Sequence, residues 1–154
     1  PVMSIGQFAE ILTMAYLGYF IQKLGFKRVI SLGIGAYFFR YLIFGTSSFP
    51  LWLIISSQAF HGFCYAFFFA AAFIYVDKIS ESNFRHSAQT VFGIIILGGG
   101  PVLGGWLSGF LQETFSKDNI LNFSSFWYSI SFVGLIATLF FITFFKEQLS
   151  TRGY

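Results

Sequence analysis

Long runs of apolar residues alternate along the chain with short polar joints. The runs occupy residues 2–22, 29–45, 51–76, 87–111 and 123–145, and the joints lie near 23–28, 46–50, 77–86 and 112–122. Each run is close to the roughly 20 residues that a helix needs to cross the hydrocarbon core of a bilayer. The runs are apolar all round and rich in glycine, which favours helices over the alternating pattern of an outer-membrane barrel. The pattern therefore predicts one all-α, polytopic transmembrane bundle with five spans.

The composition supports a membrane protein. Of the 154 residues, 56% are hydrophobic, 23% are aromatic and only 10% are charged, whereas a soluble domain carries about 25% charged residues. Lipid can face many of the 24 phenylalanines, which a water-soluble chain of this length has no room to bury. The single cysteine excludes an internal disulfide and a multi-cysteine metal site, and we expect neither a metal nor a cofactor. Because the chain begins at Pro1, at the edge of an apolar run and without a signal-peptide n-region, we expect a fragment of a longer protein.

The positive charges of the joints predict the orientation. Of the nine lysines and arginines, Lys117 is expected on one side of the membrane and Arg40 lies inside the second run. The others share the opposite side; they are Lys23, Lys27, Arg28, Lys78, Arg85, Lys146 and Arg152. Basic residues mark the cytoplasmic side of a membrane protein. We therefore expect the amino end of this chain outside and the carboxyl end in the cytoplasm.

Glu10 is the only acidic residue inside an apolar run, and such a residue suggests a functional site. It follows Gln7 by three residues, so both share one helix face. Glu10 lies twelve residues before Gln22, and Arg40 lies twelve residues beyond Arg28. Both are then about 18 Å from the cytoplasmic end of their helices. Glu10 and Arg40 form an ion pair in one interpretation. In the other they have separate partners in a missing half of the protein, and an unpaired Glu10 can carry a proton.

The third run places Gln58, His61 and Tyr65 at helical positions i, i+3 and i+7, on one stripe. His61 follows Pro50 by eleven residues, which is about 16 Å and close to the midplane, where transporters bind their substrates. Its imidazole is either a proton relay or a neutral group that hydrogen-bonds between helices.

Aromatic and amide side chains suggest the chemistry of a ligand. Tyr65 and Phe68 offer faces on which a planar ring can stack. The amides of Gln7, Gln58 and Gln89 supply both donors and acceptors for the polar edges of a base or for hydroxyl groups. This set favours a polar aromatic solute over an apolar or anionic one.

The fourth run contains Gly98-Gly99-Gly100-Pro101, followed by further glycines. A phosphate-binding loop is one reading, but no lysine follows at the required spacing. Proline kinks a helix and glycines allow close approach, so a flexible or tightly packed helix is expected.

The first joint resembles the loop signature of the major facilitator superfamily. The matching positions are Gly18, Lys23, Gly25, Lys27 and Arg28, with Gln22 in place of the usual acidic residue. That resemblance implies a cytoplasmic loop between two helices, in agreement with the charge distribution.

Further segments resemble the nucleoside:proton symporter family within that superfamily. They are residues 3–7 with Glu10, Arg40, 61–62, 65–69, 75–78 and 85–89. The resemblance implies the last five of twelve helices of a bacterial inner-membrane transporter, with the amino-terminal half and the seventh helix missing. It implies proton-coupled nucleoside uptake by alternating access, with Gln7, Glu10, Gln58, His61, Tyr65, Phe68 and Gln89 binding substrate, and Glu10, Arg40 and His61 in proton coupling or ion pairing. Members often have an acid where this chain has Ala66, so proton coupling is in question.

Other classes of function remain open. One is a facilitator or symporter of another small polar solute, and a second is a non-transporting receptor or assembly module of the membrane. An enzyme is not expected, because the runs contain no metal-binding histidine pair, Ser/His arrangement or acid pair. The expected partners are a small solute, protons, the lipid bilayer and the missing half, and not nucleic acid.

Overall fold

The computed structural model describes residues 2–118 and 120–148, which form five helices. The helices are α1 (Val2–Leu24), α2 (Phe26–Gly45), α3 (Leu51–Ile79), α4 (Arg85–Phe115) and α5 (Phe123–Phe144). The first four predicted runs lie inside α1 to α4, and the fifth extends one residue beyond α5. By length and composition, α2 to α5 can cross a membrane. Helix α1 is long enough with 23 residues, but Gln7, Glu10 and Thr13 interrupt its apolar sequence, and its crossing stays a prediction.

Two connections differ from the polar joints that the sequence predicted. Gly25 alone separates α1 from α2, so Lys23, Lys27 and Arg28 lie on helix ends and not in a loop. The φ angle of Gly25 is +81°, a left-handed conformation that favours glycine. Between α4 and α5 the chain forms a small antiparallel hairpin, with β1 (Ser116–Lys117) paired to β2 (Ile120–Leu121). This hairpin is a minor addition to the predicted all-α fold.

Helices α3 and α4 each contain a π-helical segment. In α3 a turn at Ser57 and Gln58 precedes Ala59–Phe63, and Cys64–Ala70 is π-helical. In α4 the π-helical segment is Ile94–Gly99, directly before the turn that contains Pro101. A proline ring collides with the carbonyl four residues earlier, and the wider π-helical turn gives that carbonyl room. The disturbance predicted from Pro101 therefore appears as a wide turn.

Glycines bring α3 into backbone contact with two neighbours. A β-carbon at Gly33 of α2 would lie 2.5 Å from the Phe68 nitrogen of α3. A β-carbon at Gly62 of α3 would lie 2.4 Å from the Glu10 nitrogen of α1. Around these contacts the three helices bury an apolar cluster whose members include Leu17, Val29 and Phe67. Close packing of α1, α2 and α3 thus fixes the positions of their polar side chains.

Helix α5 packs along α2, whereas α4 is largely exposed and contacts α3 mainly near its start, where the Phe73 and Phe92 ring centres are 5.0 Å apart. The Ser131 hydroxyl of α5 is buried and donates to the Phe38 carbonyl of α2 at 2.9 Å. By contrast, no residue from 85 to 110 is buried against the described part of the chain. The glycines of α4 from Gly98 to Gly109 face open space there. The tight packing predicted for these glycines therefore has no partner among the described residues.

Candidate solute-binding and proton-coupling site

Arg40 is the centre of a polar cluster inside the bundle. Arg40 lies five residues before the end of α2. Its two terminal nitrogens reach α3, where Nη2 donates to Gln58 Oε1 at 2.9 Å and Nη1 lies 3.2 Å from His61 Nδ1. The guanidinium carbon lies 5.8 Å and 5.4 Å from the ring centres of Tyr41 and Phe44, which gives cation–π stabilisation. Two hydrogen bonds and two aromatic faces thus accommodate a charge that is costly inside a membrane.

The contact with Arg40 determines which nitrogen of His61 carries the proton. An arginine side chain has only donors, so His61 Nδ1 must accept and the ring hydrogen must lie on Nε2. This contact is a hydrogen bond between α2 and α3, one of the two roles expected for His61. Its role as a proton relay stays a prediction.

Helix α1 passes directly beside this cluster. A β-carbon at Gly6 would lie 3.3 Å from the Gln58 carbonyl oxygen and from His61 Cβ, so a glycine allows the close approach. One turn further, the Ala9 and Glu10 backbone packs against Gly62. Glu10, which is half-buried, therefore lies within about one helical turn of the Gln58 and His61 level, whereas the Gln7 side chain is exposed.

The ion pair between Glu10 and Arg40 is not formed. Arg40 uses its terminal nitrogens on Gln58 and His61, and no nitrogen of Arg40 lies within 4.0 Å of a Glu10 oxygen. The rotation of α2 about its axis turns Arg40 toward α3, and the apolar sequence of α2 did not reveal that rotation. The structure therefore contradicts the ion pair, and Arg40 finds its partners on α3 of the same chain. A partner for Glu10 in the missing half stays a prediction.

The predicted stripe on α3 is only partly brought together. Gln58 and His61 meet at Arg40, but Tyr65 is 41% exposed and its ring lies beside that of Phe69. Phe68 is half-buried and makes edge contacts with Tyr37 and Phe69. The π-helical segment begins at Cys64, so the regular helical spacing that predicted a continuous stripe does not extend to Tyr65.

Position 66 lies in the bundle core. Ala66 is fully buried and belongs to the apolar cluster between α1, α2 and α3. An acidic residue here would displace apolar contacts and need a partner.

Gln89 lies where the end of α3 meets the start of α4, away from the Arg40 cluster. Its amide donates to Asp77 Oδ1 at 3.2 Å, and Arg85 Nε lies 3.3 Å from the same oxygen. The three residues connect the end of α3 to the start of α4. The structure thus places Gln89 in a connection between helices and not beside Gln58 and His61.

The first joint, which carries the loop signature, is contacted by Glu147 from the other end of the chain. The Glu147 carboxylate accepts hydrogen bonds from the backbone N–H groups of Phe26 and Lys27, both at 3.1 Å. These groups begin α2 and have no partner within the helix, so the carboxylate acts as its N-terminal cap. The adjacent Gln148 N–H donates to the Tyr75 hydroxyl at 3.0 Å. Sequence reasoning missed this contact, and no local motif indicates it. Arg152, used in predicting the orientation, lies outside the described residues.

Apolar helices that enclose an arginine, an amide and an imidazole are typical of a polytopic membrane transporter, because membrane-buried polar residues mark solute and proton pathways. The chain belongs to the nucleoside H⁺ symporter family, whose sequence profile matches residues 1–150. The predicted family and the predicted all-α major facilitator fold are confirmed.

Known proteins agree in sequence and in structure. The chain is 33% identical over 157 residues to the transporter YegT of Escherichia coli K12, covering 95% of this chain and 37% of YegT. It is 27% identical over 150 residues to the nucleoside permease NupG of the same strain, covering 96% of this chain and 36% of NupG. The crystal structure of a NupG mutant matches with a TM-score of 0.86 at 28% identity, over 94% of this chain and 37% of that one. The chain therefore spans little more than a third of these relatives.

Proposed function

We propose that this chain is the carboxyl-terminal part of a proton-coupled nucleoside transporter of a bacterial inner membrane. In this proposal its amino end lies outside, its carboxyl end lies in the cytoplasm and all five helices cross the bilayer. It moves a nucleoside by alternating access, in which this bundle rocks against the remainder of the transporter. The observation that carries the proposal is the Arg40–Gln58–His61 cluster beside the Glu10 segment of α1, deep within otherwise apolar helices.

The residues of the cluster have separate roles in this proposal. Arg40 fixes the Gln58 oxygen and His61 Nδ1, which leaves the Gln58 NH₂ group and His61 Nε2–H as donors for a solute. Gln7 adds a second amide from the exposed face of α1, and Tyr65 adds an exposed aromatic ring. A nucleoside has acceptors on its base and hydroxyl groups on its ribose, together with a planar face that stacks on aromatic rings.

Glu10 is the proton-coupling residue of this proposal. It forms no ion pair with Arg40, so its carboxyl group can take up and release a proton without breaking the Arg40 contacts. Position 66 is an alanine buried in the apolar core, so it supplies no second acid. Proton coupling within this part of the transporter then rests on Glu10 alone.

The test is uptake of radiolabelled uridine and adenosine by cells that express the full-length transporter, with and without a proton uncoupler. Glu10→Gln removes the titrating group at nearly constant size, and Glu81→Gln, at an exposed site in the α3–α4 connection, is the matched control. All variants are compared at equal amounts in the membrane. We expect the uncoupler and Glu10→Gln each to abolish concentrative uptake, while Glu81→Gln retains it.

The other outcomes separate the alternatives. Uptake that survives both the uncoupler and Glu10→Gln would indicate a facilitator. Absence of uptake of either nucleoside would refute the nucleoside assignment, and other small polar solutes would then be tested by the same assay.

A further inference from the structure

A broad apolar groove runs along the outer face of α2. Its floor consists of residues three or four apart on α2, including Leu32, Gly35 and Phe39. Aromatic side chains of α3 form one wall, among them Phe63, and Ile142 of α5 lies on the other side. The groove has a volume of about 920 Å³. Leu32 and Phe39 are each more than half exposed, so the described chain leaves this surface uncovered.

Two basic residues stand at one end of the groove. Lys27 and Arg28 belong to the first turn of α2 and line the groove where it meets the cytoplasmic-side end of the helix. Within the described residues, neither side chain forms an ion pair or a hydrogen bond. The Glu147 carboxylate is occupied by the backbone N–H groups of Phe26 and Lys27. This end of the groove therefore offers two cations without an acidic side-chain partner.

The length of the groove matches one leaflet of a bilayer. Phe39 follows Arg28 by eleven residues of α2, which is about 17 Å of helix. Half of the roughly 30 Å hydrocarbon core is about 15 Å. A lipid with its headgroup at Lys27 and Arg28 would lay an acyl chain along the apolar part of the groove.

We propose that this groove binds an anionic phospholipid, with its phosphate at Lys27 and Arg28 and an acyl chain against Leu32 and Phe39. Basic pockets between membrane helices on the cytoplasmic side select anionic headgroups in this way. A soluble anion would leave the apolar floor unused, and an apolar helix would leave both cations unpaired in lipid. The proposal requires that the helices cross the membrane, and it is independent of which solute the protein carries.

The test measures lipid binding to the delipidated full-length transporter in detergent by native mass spectrometry. Phosphatidylglycerol and phosphatidylcholine of identical acyl chains are titrated separately. We expect the parent to prefer phosphatidylglycerol. Each basic residue near a membrane surface strengthens anionic lipid binding about fivefold, so Lys27→Gln with Arg28→Gln should weaken phosphatidylglycerol binding about 30-fold. Phosphatidylcholine binding should change little.

The matched control removes two charges from the same side, through Lys23→Gln with Lys146→Gln, both at exposed positions that do not line the groove. We expect it to retain the preference for phosphatidylglycerol. A second variant, Gly35→Leu, narrows the groove floor and should weaken binding of both lipids while leaving the two cations in place.

Several results would overturn the proposal. Equal binding of the two lipids by the parent would show that the cations do not select a headgroup. An equal loss in both double variants would indicate only general surface charge. Competition by millimolar inorganic phosphate would indicate a soluble-anion site, and a parent that binds neither lipid would indicate that another part of the transporter covers the groove.

Discussion

The contact between Gly62 and α1 allows a quantitative test of the packing. In Gly62→Ala the new β-carbon would lie 2.4 Å from the Ala9 carbonyl carbon and the Glu10 nitrogen, and 2.7 Å from the Ala9 oxygen. Ordinary contacts between non-bonded carbon atoms are about 3.5 Å, so the separation is short by about 1 Å. All three atoms belong to the backbone, and no side-chain rotation can relieve the overlap. Helix α1 must therefore move away from α3.

The size of the effect follows from two opposing terms. Overpacking of this kind costs about 3 kcal/mol at the upper end of the observed range, and a rigid backbone neighbour favours that end. Alanine is a better helix former than glycine by about 1 kcal/mol, which offsets part of the loss. The net destabilisation is about 2 kcal/mol, which corresponds to a decrease in Tm of about 2 °C in a full-length transporter about as long as the relatives.

The assay is thermal unfolding of the purified full-length transporter in detergent, followed by tryptophan fluorescence. Gly35→Ala is the control, because its β-carbon would make an ordinary contact of 3.9 Å with Thr138. We expect the control to unfold at the parent temperature or slightly above it. If Gly62→Ala is as stable as Gly35→Ala, α1 and α3 are not in backbone contact and the position assigned to Glu10 is wrong.

Two further predictions concern other contacts. Glu147→Gln replaces the carboxylate that accepts from the first N–H groups of α2, so we expect the free energy of unfolding to fall by about 1 kcal/mol in the same assay. Glu113→Gln, at an exposed site, is the control and should have no effect. Equal Tm values for both variants would contradict the cap. The Cys64 thiol is fully buried, so a maleimide reagent should label it only after denaturation. A cysteine introduced by Ser82→Cys, in the exposed α3–α4 connection, should be labelled at once. Rapid labelling of Cys64 in the native protein would contradict the packing around it.

The sequence predicted the helices well, because each apolar run has the length of one helix and each polar joint marks where one helix ends and the next begins. The sequence also carries a signal for the Arg40 cluster. Its spacing predicts Arg40 about 18 Å from one end of its helix and His61 about 16 Å from the opposite end of the bilayer. In a hydrocarbon core of roughly 30 Å these depths nearly coincide. The depths thus allowed His61 as a partner for Arg40, in addition to Glu10.

Helix rotation and distant contacts were beyond the sequence for a physical reason. A helix that is apolar on all sides carries no strong periodic signal, so the direction in which Arg40 points cannot be read from it. The π-helical segment in α3 changes the spacing on which the Tyr65 prediction depended. The position of Gln89, one turn inside the end of its run, allows it either to line an inner vestibule or to cap polar groups at the helix end, and the contact with Asp77 corresponds to the second role. The cap by Glu147 joins positions 121 residues apart, which no local pattern encodes.

The single-residue connection at Gly25 limits how the α1–α2 hairpin can change in length. An inserted or deleted residue shifts the phase of a following helix by about 100° if the connection cannot absorb it. With one residue between the helices, almost nothing is available to absorb the change. A 100° phase shift would point Arg40 away from Gln58 and His61 and would bring a side chain into the place of Gly33 against α3. Point substitutions are therefore compatible with this hairpin far more often than insertions or deletions, and a linker or epitope inserted for engineering belongs in the α3–α4 connection instead.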